Sequence, residues 1–128
     1  MLDTSAVLAL LQEEPEAGTL LEALVDASAR SISAATLVEA GVVLHARYGD
    51  HGERELDLFI QRAEVAVVPL TADHASLARS AFRRFGKGRH LAGLNLGDCF
   101  SYALAVALGH SLLFVGDDFA RTDVPHLA

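Results

Sequence analysis

The chain has 128 residues, of which 52% are hydrophobic and 21% are charged. This length fits one compact domain with a core of its own, so we predict a single domain over residues 1–128. Apolar runs stay short of the roughly 20 residues that a membrane span needs, and a single cysteine excludes an internal disulfide. The N-terminal residues lack a signal-peptide pattern, so we expect a cytoplasmic protein without a membrane partner.

The charges are unevenly distributed along the chain. The net charge of −7 disfavours simple electrostatic binding of nucleic acid. Residues 74–97, however, contain no Asp or Glu and hold half of the ten Lys and Arg residues. These five are Arg79, Arg83, Arg84, Lys87 and Arg89, with His90 beside them, and we call residues 79–90 the basic segment. It is either a local positive patch or a solvated helix face that runs into a loop.

The predicted elements alternate between short apolar strands and pairs of helices. Strands are predicted at residues 1–2, 31–33, 65–70 and 111–115, with a last short edge strand at 122–124. Helices are predicted after a turn at residues 3–5, from 15, over 34–48 and 53–63, from 71 to about 86, and from 95 to 109. Apolar strands joined by helical crossovers predict an α/β fold, a three-layer α/β/α domain with a mainly parallel central sheet.

The helix that begins near Asn95 is the most informative stretch. Asn95 is predicted to cap it, and Asp98 then lies in its first turn. Asp98 either serves only this cap or belongs to a functional site. Apolar residues follow at three- and four-residue steps, which marks a buried helix face. Cys99 lies within that apolar pattern without a basic partner, so we interpret it as an inert core thiol.

Other acidic residues are predicted to lie near the same edge of the sheet. Asp3 and the pair Asp117 and Asp118 each follow a predicted strand. In parallel sheets, functional sites form beyond the carboxyl ends of the strands. Glu39 stands among apolar residues of the third helix, where it is either a site member or an edge residue that reaches solvent.

Carboxylates that meet in one crevice repel each other unless a cation neutralises them. A set of oxygen ligands selects Mg²⁺ or Mn²⁺ over zinc, and the six histidines show no HExxH spacing. Such an ion promotes hydrolysis of a phosphodiester, and the basic segment is available to hold a nucleic acid backbone. The glycine-punctuated loop at residues 86–93 lacks the GxxxxGK[ST] pattern, which disfavours nucleotide hydrolysis by a P-loop.

Four groups of residues along the whole chain carry a family resemblance. They are Asp3-Thr4-Ser5-Ala6, Glu39 within residues 35–40, residues 86–90 continuing to 95–103, and Gly116-Asp117-Asp118-Phe119 with Thr122-Asp123. In this order they resemble the PIN-domain ribonucleases of the VapC toxin family. The resemblance implies a Mg²⁺- or Mn²⁺-dependent endoribonuclease that is the toxin of a type II toxin–antitoxin pair. It also implies a homodimer and inhibition by a cognate VapB-like antitoxin.

The resemblance further implies roles for individual residues. Asp3, Glu39 and Asp98 are acidic site members, and Asp3 and Asp98 are the expected direct metal ligands. Asp118 is the expected fourth acid, because the family pattern places an Asp directly before Phe, and Asp117 is the second candidate. Ser5 either hydrogen-bonds a site carboxylate or is an ordinary residue at a helix start. The residues expected to contact RNA phosphates are Lys87, Arg89 and His90.

Two other classes of function fit the same acidic residues. One is a binding module without catalytic activity, whose acids receive a basic partner. The other is a receiver-type phosphoacceptor domain, which also gathers acids around Mg²⁺ at strand ends. The receiver interpretation is disfavoured, because the strand at 65–70 is followed by Thr71 rather than Asp and no Lys follows Lys87.

Overall fold

The computed structural model describes residues 1–125. Its helices are α1 (Thr4–Leu11), α2 (Ala17–Asp26), α3 (Ala34–Tyr48), α4 (Asp50–Arg62), α5 (Ala72–Phe85) and α6 (Leu96–Leu108). Its strands are β1 (Ser31–Ser33) and β2 (Ala66–Val68), and a 3₁₀ turn covers Phe119–Arg121. Within this part of the chain, no helix has the length and hydropathy that crossing a membrane requires.

Strands β1 and β2 pair in parallel, with Ile32 opposite Val67. The first three residues extend this sheet, because the amide of Leu2 donates to the carbonyl of Ser31 at 2.9 Å. Leu2 also forms a parallel bridge with Leu113. The order across the sheet is therefore β2, β1, residues 1–3 and residues 111–115, which agrees with the predicted parallel arrangement.

Two apolar cores lie on opposite faces of this sheet. Met1 and Leu112 pack into the core built with α5 and α6, whereas their neighbours Leu2 and Leu113 pack on the side of α1 to α4. Neighbouring residues of an extended segment point to opposite faces, so this alternation places helices on both sides of the sheet. The predicted three-layer α/β/α architecture is confirmed.

The strands differ from the prediction in three places. The strand predicted at 65–70 shortens to β2, whose Val67 is exposed at the sheet edge. The segment at 111–115 is extended and forms isolated bridges, among them the one between Leu113 and Leu2, instead of a continuous strand. The strand predicted at 122–124 is wrong, because the 3₁₀ turn ends there and the hydroxyl of Thr122 donates to the carbonyl of Phe119 at 2.7 Å.

Helix α4 begins earlier than predicted, at Asp50 instead of residue 53. The residues that suggested a break include Gly49 and Gly52. Gly49 does separate α3 from α4, with a positive φ of 64°. Gly52 instead lies inside α4, where a Cβ atom would stand 2.5 Å from the carbonyl oxygen of Leu44. This glycine therefore allows α4 to pack closely on α3.

Three helix starts converge at the carboxyl edge of the sheet. Asp3 ends the first extended segment and caps α1, and Ser33 ends β1 and caps α3. Helix α6 approaches from the other helical layer, with Asn95 as its cap. The cap predicted at Asn95 is confirmed. These three helices carry Asp3, Glu39 and Asp98 toward one region.

Candidate active site

Asp3 is buried, with 2% of its surface exposed. Its Oδ1 accepts a hydrogen bond from the hydroxyl of Ser101 at 2.7 Å. Its Oδ2 accepts from the hydroxyl of Ser5 at 2.6 Å and from the backbone amide of Ser5 at 3.0 Å. Among residues 1–125, no cationic side chain forms an ion pair with Asp3. Hydroxyl and amide donors therefore stabilise its negative charge.

Ser5 connects Asp3 with the end of the segment at 111–115. While its hydroxyl donates to Asp3, it accepts a hydrogen bond from the backbone amide of Val115 at 3.0 Å. Of the two roles considered for Ser5, the structure supports the bond to a site carboxylate.

Glu39 is half-buried and turned toward α6 rather than into solvent. Its Oε1 accepts a hydrogen bond from the hydroxyl of Thr4. On the other side, its carboxyl group occupies the space that a Cβ atom at Gly97 would need. Thr4 and Gly97 therefore enclose this carboxylate between the start of α1 and the first turn of α6.

Asp98 lies in the first turn of α6, and only its Oδ2 takes part in the cap. Oδ2 accepts from the backbone amide of Asn95 at 3.0 Å, and the amide of Asp98 donates to the side-chain oxygen of Asn95 at 2.9 Å. The pKa of Asp98 is raised from 3.8 to about 6, chiefly by burial and further by repulsion from nearby acids, although the bond from Asn95 opposes the rise. The repelling groups are Asp3, Asp118 and Glu39.

The structure thus brings together four of the five predicted acids, because charges act on a pKa in this way only over short distances. Asp118 and Asp117 are both exposed beside the 3₁₀ turn. Asp118 is among the groups that raise the pKa of Asp98, and Asp117 is not. This difference supports the choice of Asp118 as the fourth acid, which stays a prediction.

The loop between α5 and α6 presents the predicted RNA-binding residues. Lys87, Arg89 and His90 are all exposed. The ring of His90 also has an internal role. Its Nδ1 accepts a hydrogen bond from the amide of Ala92 at 3.0 Å, and its ring packs edge-to-face with the ring of Phe85, with the ring centroids 5.2 Å apart. His90 therefore orders the loop, and Lys87 and Arg89 are left as the loop's exposed cations.

Arg84 belongs to the basic segment but has a structural partner. Its guanidinium forms an ion pair with Asp123 at 2.8 Å and donates to the hydroxyl of Tyr102 at 3.2 Å. The bonds from Tyr102 and Arg84 lower the pKa of Asp123, so this carboxyl stays ionised. The basic segment is therefore only in part a free positive patch.

The four acids offer only oxygen atoms, which suits Mg²⁺ or Mn²⁺. A cation would also relieve the repulsion that raises the pKa of Asp98. The carboxylates do not form a closed cage. In the described part of the chain, the only set of three His, Cys, Asp or Glu side chains whose ligand atoms all lie within 4.8 Å of one another is His45, Asp50 and Glu53, exposed at the junction of α3 and α4. An open site fits Mg²⁺, which commonly binds one or two carboxylates and keeps several waters.

Two of the polar residues that hold these acids in place, Thr4 and Ser101, were not predicted from the sequence. Thr4 binds Glu39, and Ser101 binds Asp3 and contacts Thr36. The available signal was the position of Ser101, three residues after Asp98 and therefore near the same face of α6. A hydroxyl in a helix that is otherwise apolar requires a partner, and Asp3 provides one.

Comparison with known proteins identifies the family. The model of the PIN domain family matches residues 1–125. A ribonuclease VapC of Mycolicibacterium smegmatis is 52% identical over 124 residues, which cover 97% of this chain and 96% of that protein. The ribonuclease VapC30 of Mycobacterium tuberculosis is 50% identical over 129 aligned positions, which cover 100% of this chain and 98% of that protein.

Solved structures share the fold at low sequence identity. The crystal structure of VapC20 from Mycobacterium tuberculosis, a sarcin–ricin loop cleaving toxin, matches with a TM-score of 0.79 and 19% identity over 98% of this chain and 96% of its own. VapBC2 from Rickettsia felis, bound to a DNA fragment from its promoter, matches with a TM-score of 0.76 and 20% identity. The match covers 100% of this chain and 96% of that chain. The family suggested by the sequence motifs is confirmed. The chain belongs to the VapC family of PIN-domain ribonucleases.

Proposed function

We propose that this chain is the toxin of a toxin–antitoxin pair, an endoribonuclease that hydrolyses RNA phosphodiester bonds with the help of Mg²⁺ or Mn²⁺. The observation that carries the proposal is the meeting of Asp3, Glu39, Asp98 and Asp118 at one place, where burial and, to a smaller extent, repulsion from the other three acids raise the pKa of Asp98. Bringing several carboxylates from distant parts of the sequence to one place is unfavourable, because their negative charges repel each other. A divalent ion bound between them would neutralise these charges. Relatives that match nearly the full chain are named ribonucleases.

Each acid has a role in this proposal. Asp3 and Asp98 would hold the ion, because Asp3 is fixed by three hydrogen bonds and Asp98 uses only one oxygen for its cap. When bound there, the ion supplies positive charge for the phosphodiester and makes a nearby water more acidic. Glu39 and Asp118 would complete the negative charge and orient water by accepting hydrogen bonds from it. Thr4 and Ser5 keep Glu39 and Asp3 in position.

The exposed loop supplies the contacts with RNA. Lys87 and Arg89 neutralise phosphates, and such contacts weaken as the salt concentration rises. Replacing Lys87 and Arg89 with alanine should therefore weaken RNA binding and reduce its salt dependence. Arg84 offers a matched contrast, because its ion pair with Asp123 already uses its charge. Arg84→Ala should change the salt dependence less.

The exposed apolar side chains of this chain support the proposal that it binds protein partners. Val25 is 63% exposed on α2, and Val38 and Val42 are 66% and 64% exposed on α3. Apolar surface of this kind marks protein interfaces. We assign it to a VapB-like antitoxin and to a second copy of the chain, in the cytoplasm where RNA is present. Light scattering of the purified chain should give the mass of a dimer, and a monomer would contradict this assignment.

Asp98→Asn tests the proposed reaction. The change keeps the shape of the side chain and removes its charge, so RNA cleavage in Mg²⁺ should fall by at least about 100-fold. Asp73→Asn is the matched control, because Asp73 also lies in the first turn of a helix, far along the chain in α5. This control should cleave as the parent does, and EDTA should stop both. Parent-like cleavage by Asp98→Asn would contradict the site, and a parent that cleaves no RNA with either ion would contradict the function.

A further inference from the structure

Beneath the site, two buried hydroxyl groups form a chain of hydrogen bonds that ends at Asp3. Thr36 on α3 and Ser101 on α6 are both completely buried. The hydroxyl oxygens of Thr36 and Ser101 are 3.2 Å apart, and the hydroxyl of Ser101 is 2.7 Å from Oδ1 of Asp3. These contacts join residues 65 and 98 positions apart in the sequence.

The chemistry of the three groups fixes the direction of the chain. An ionised carboxylate accepts hydrogen bonds and cannot donate them, so the proton of Ser101 is used in the bond to Asp3. The contact with Thr36 must then be made by the proton of Thr36, which Ser101 accepts. Thr36 therefore holds the rotatable hydroxyl of Ser101 in the orientation that serves Asp3.

We propose that Ser101 is a positioning residue for the cation site, and that Thr36 acts through it. Ser101 holds Oδ1 of Asp3 while Ser5 holds Oδ2, so the plane of this carboxylate is fixed from both sides. The two bonds from Ser5 occupy both lone pairs of Oδ2, and Oδ1 keeps one lone pair for a divalent ion. The inference rests on the proposed function, because it assigns the ion to Asp3.

Packing alone does not explain these hydroxyls. Residues around Ser101 on α6 are apolar and buried, and include Cys99, Tyr102 and Ala103. Alanine at 101 and valine at 36 would fill nearly the same space without burying polar groups. Without the hydroxyl of Ser101, however, Asp3 would lose one of its three hydrogen bonds. The buried hydroxyls are therefore explained by the bond to Asp3.

The test is the affinity for Mn²⁺, measured by titration calorimetry on the full chain without RNA. Groups that orient a metal ligand typically change metal affinity by about 10- to 100-fold. Ser101→Ala should raise the Kd for Mn²⁺ by about 10-fold or more, and Thr36→Val should raise it less. The double variant should match Ser101→Ala, because residues in one network do not act additively. Ser31→Ala is the control, since Ser31 is also buried but donates to the sulfur of Met1.

RNA cleavage provides the second measurement, in which Ser101→Ala should lower kcat and leave KM near the parent value. Three results would each overturn the inference. They are a parent-like Kd for Mn²⁺ in Ser101→Ala, a rise in Kd as large in Ser31→Ala as in Ser101→Ala, and additive rises in Kd in the double variant. If Ser101→Ala does not fold, Thr36→Val keeps the core shape, and a parent-like Kd in that variant overturns it. A parent chain that binds no Mn²⁺ would overturn the proposed cation and this inference together. If the parent binds Mn²⁺ and the variants bind it with the same Kd, the inference alone is overturned and the proposed cation stands.

Discussion

The carboxyl group of Glu39 on α3 occupies the space directly beside the backbone of Gly97 on α6. Gly97 lies within a helix and has no positive φ, so backbone conformation does not require a glycine there. The requirement comes from Glu39, since any side chain at residue 97 would overlap its carboxyl group. The two helices belong to different layers, and their close approach at the sheet edge places Glu39 near Asp98.

Gly97→Ala should therefore damage the site without weakening the fold. The new methyl group should push Glu39 away from its bond with Thr4, which lowers RNA cleavage by about 10-fold or more. Alanine is the better helix former by about 1 kcal/mol, so the melting temperature should stay level or rise. Gly18→Ala in α2 is the control, because a Cβ atom there meets nothing within 4 Å. Cleavage at the parent rate by Gly97→Ala would show that Glu39 does not need this position.

Asp118→Asn and Asp117→Asn should separate the two candidates for the fourth acid. The two residues are adjacent and exposed, so the substitutions change the net charge equally. Of these two residues, only Asp118 contributes to the raised pKa of Asp98, so Asp118→Asn should lower cleavage by about 10- to 100-fold. Asp117→Asn should stay near the parent rate. The reverse result would assign the role to Asp117.

Local patterns in the sequence were enough to predict the layers and the starts of α3 and α6. The cap formed by Asn95 and Asp98 spans three residues, and the bond from Ser5 to Asp3 spans two. Such contacts depend on neighbours in the chain, so spacing predicted the cap at Asn95, and the family resemblance offered the bond from Ser5 as one of two roles. The motifs that carried the family resemblance are of the same local kind, and they placed Asp3, Glu39 and Asp98 correctly on their elements.

The contacts that the prediction missed are distant in the sequence. Ser101 binds Asp3 across 98 positions, and Arg84 binds Asp123 across 39. A hydroxyl or a guanidinium carries no local sign of such a partner, which the packing of separate elements supplies. The strand expected at 122–124 failed for a related reason. Its β-branched residues favour a strand, but Asp123 and Thr122 are engaged with Arg84 and the 3₁₀ turn.

Mg²⁺ should raise the melting temperature of the parent chain, because an ion that binds only the folded state stabilises it. At a concentration 100 times the Kd this amounts to about 2.7 kcal/mol, a rise of several degrees. The double variant Asp3→Asn, Asp98→Asn should show no such rise. Asp57→Asn, Asp73→Asn is the control with the same change in charge on exposed residues, and it should respond as the parent does. Equal responses from all three chains would place the ion elsewhere or on no site at all.

In EDTA, Asp98 should make the stability of the folded chain depend on pH. Its pKa rises from 3.8 to about 6 on folding, chiefly because of burial. Between these two values the folded state binds more protons than the unfolded state, so the free energy of unfolding falls as pH rises. Asp98→Asn removes this dependence. Urea unfolding at pH 4 and pH 7 should therefore show the variant gaining stability relative to the parent as the pH increases.

The side-chain amide introduced by Asp98→Asn can still accept the bond from the backbone of Asn95, so the helix cap is kept and the charge alone is removed. Parallel pH profiles for parent and variant would mean that Asp98 titrates at its ordinary pKa and that the acids do not repel one another. Diverging profiles would mean that the site lowers the stability of the metal-free fold. Since the variant keeps the same contacts without the buried charge and its repulsion, that loss can be assigned to the carboxylate itself, the group that the proposed ion would neutralise.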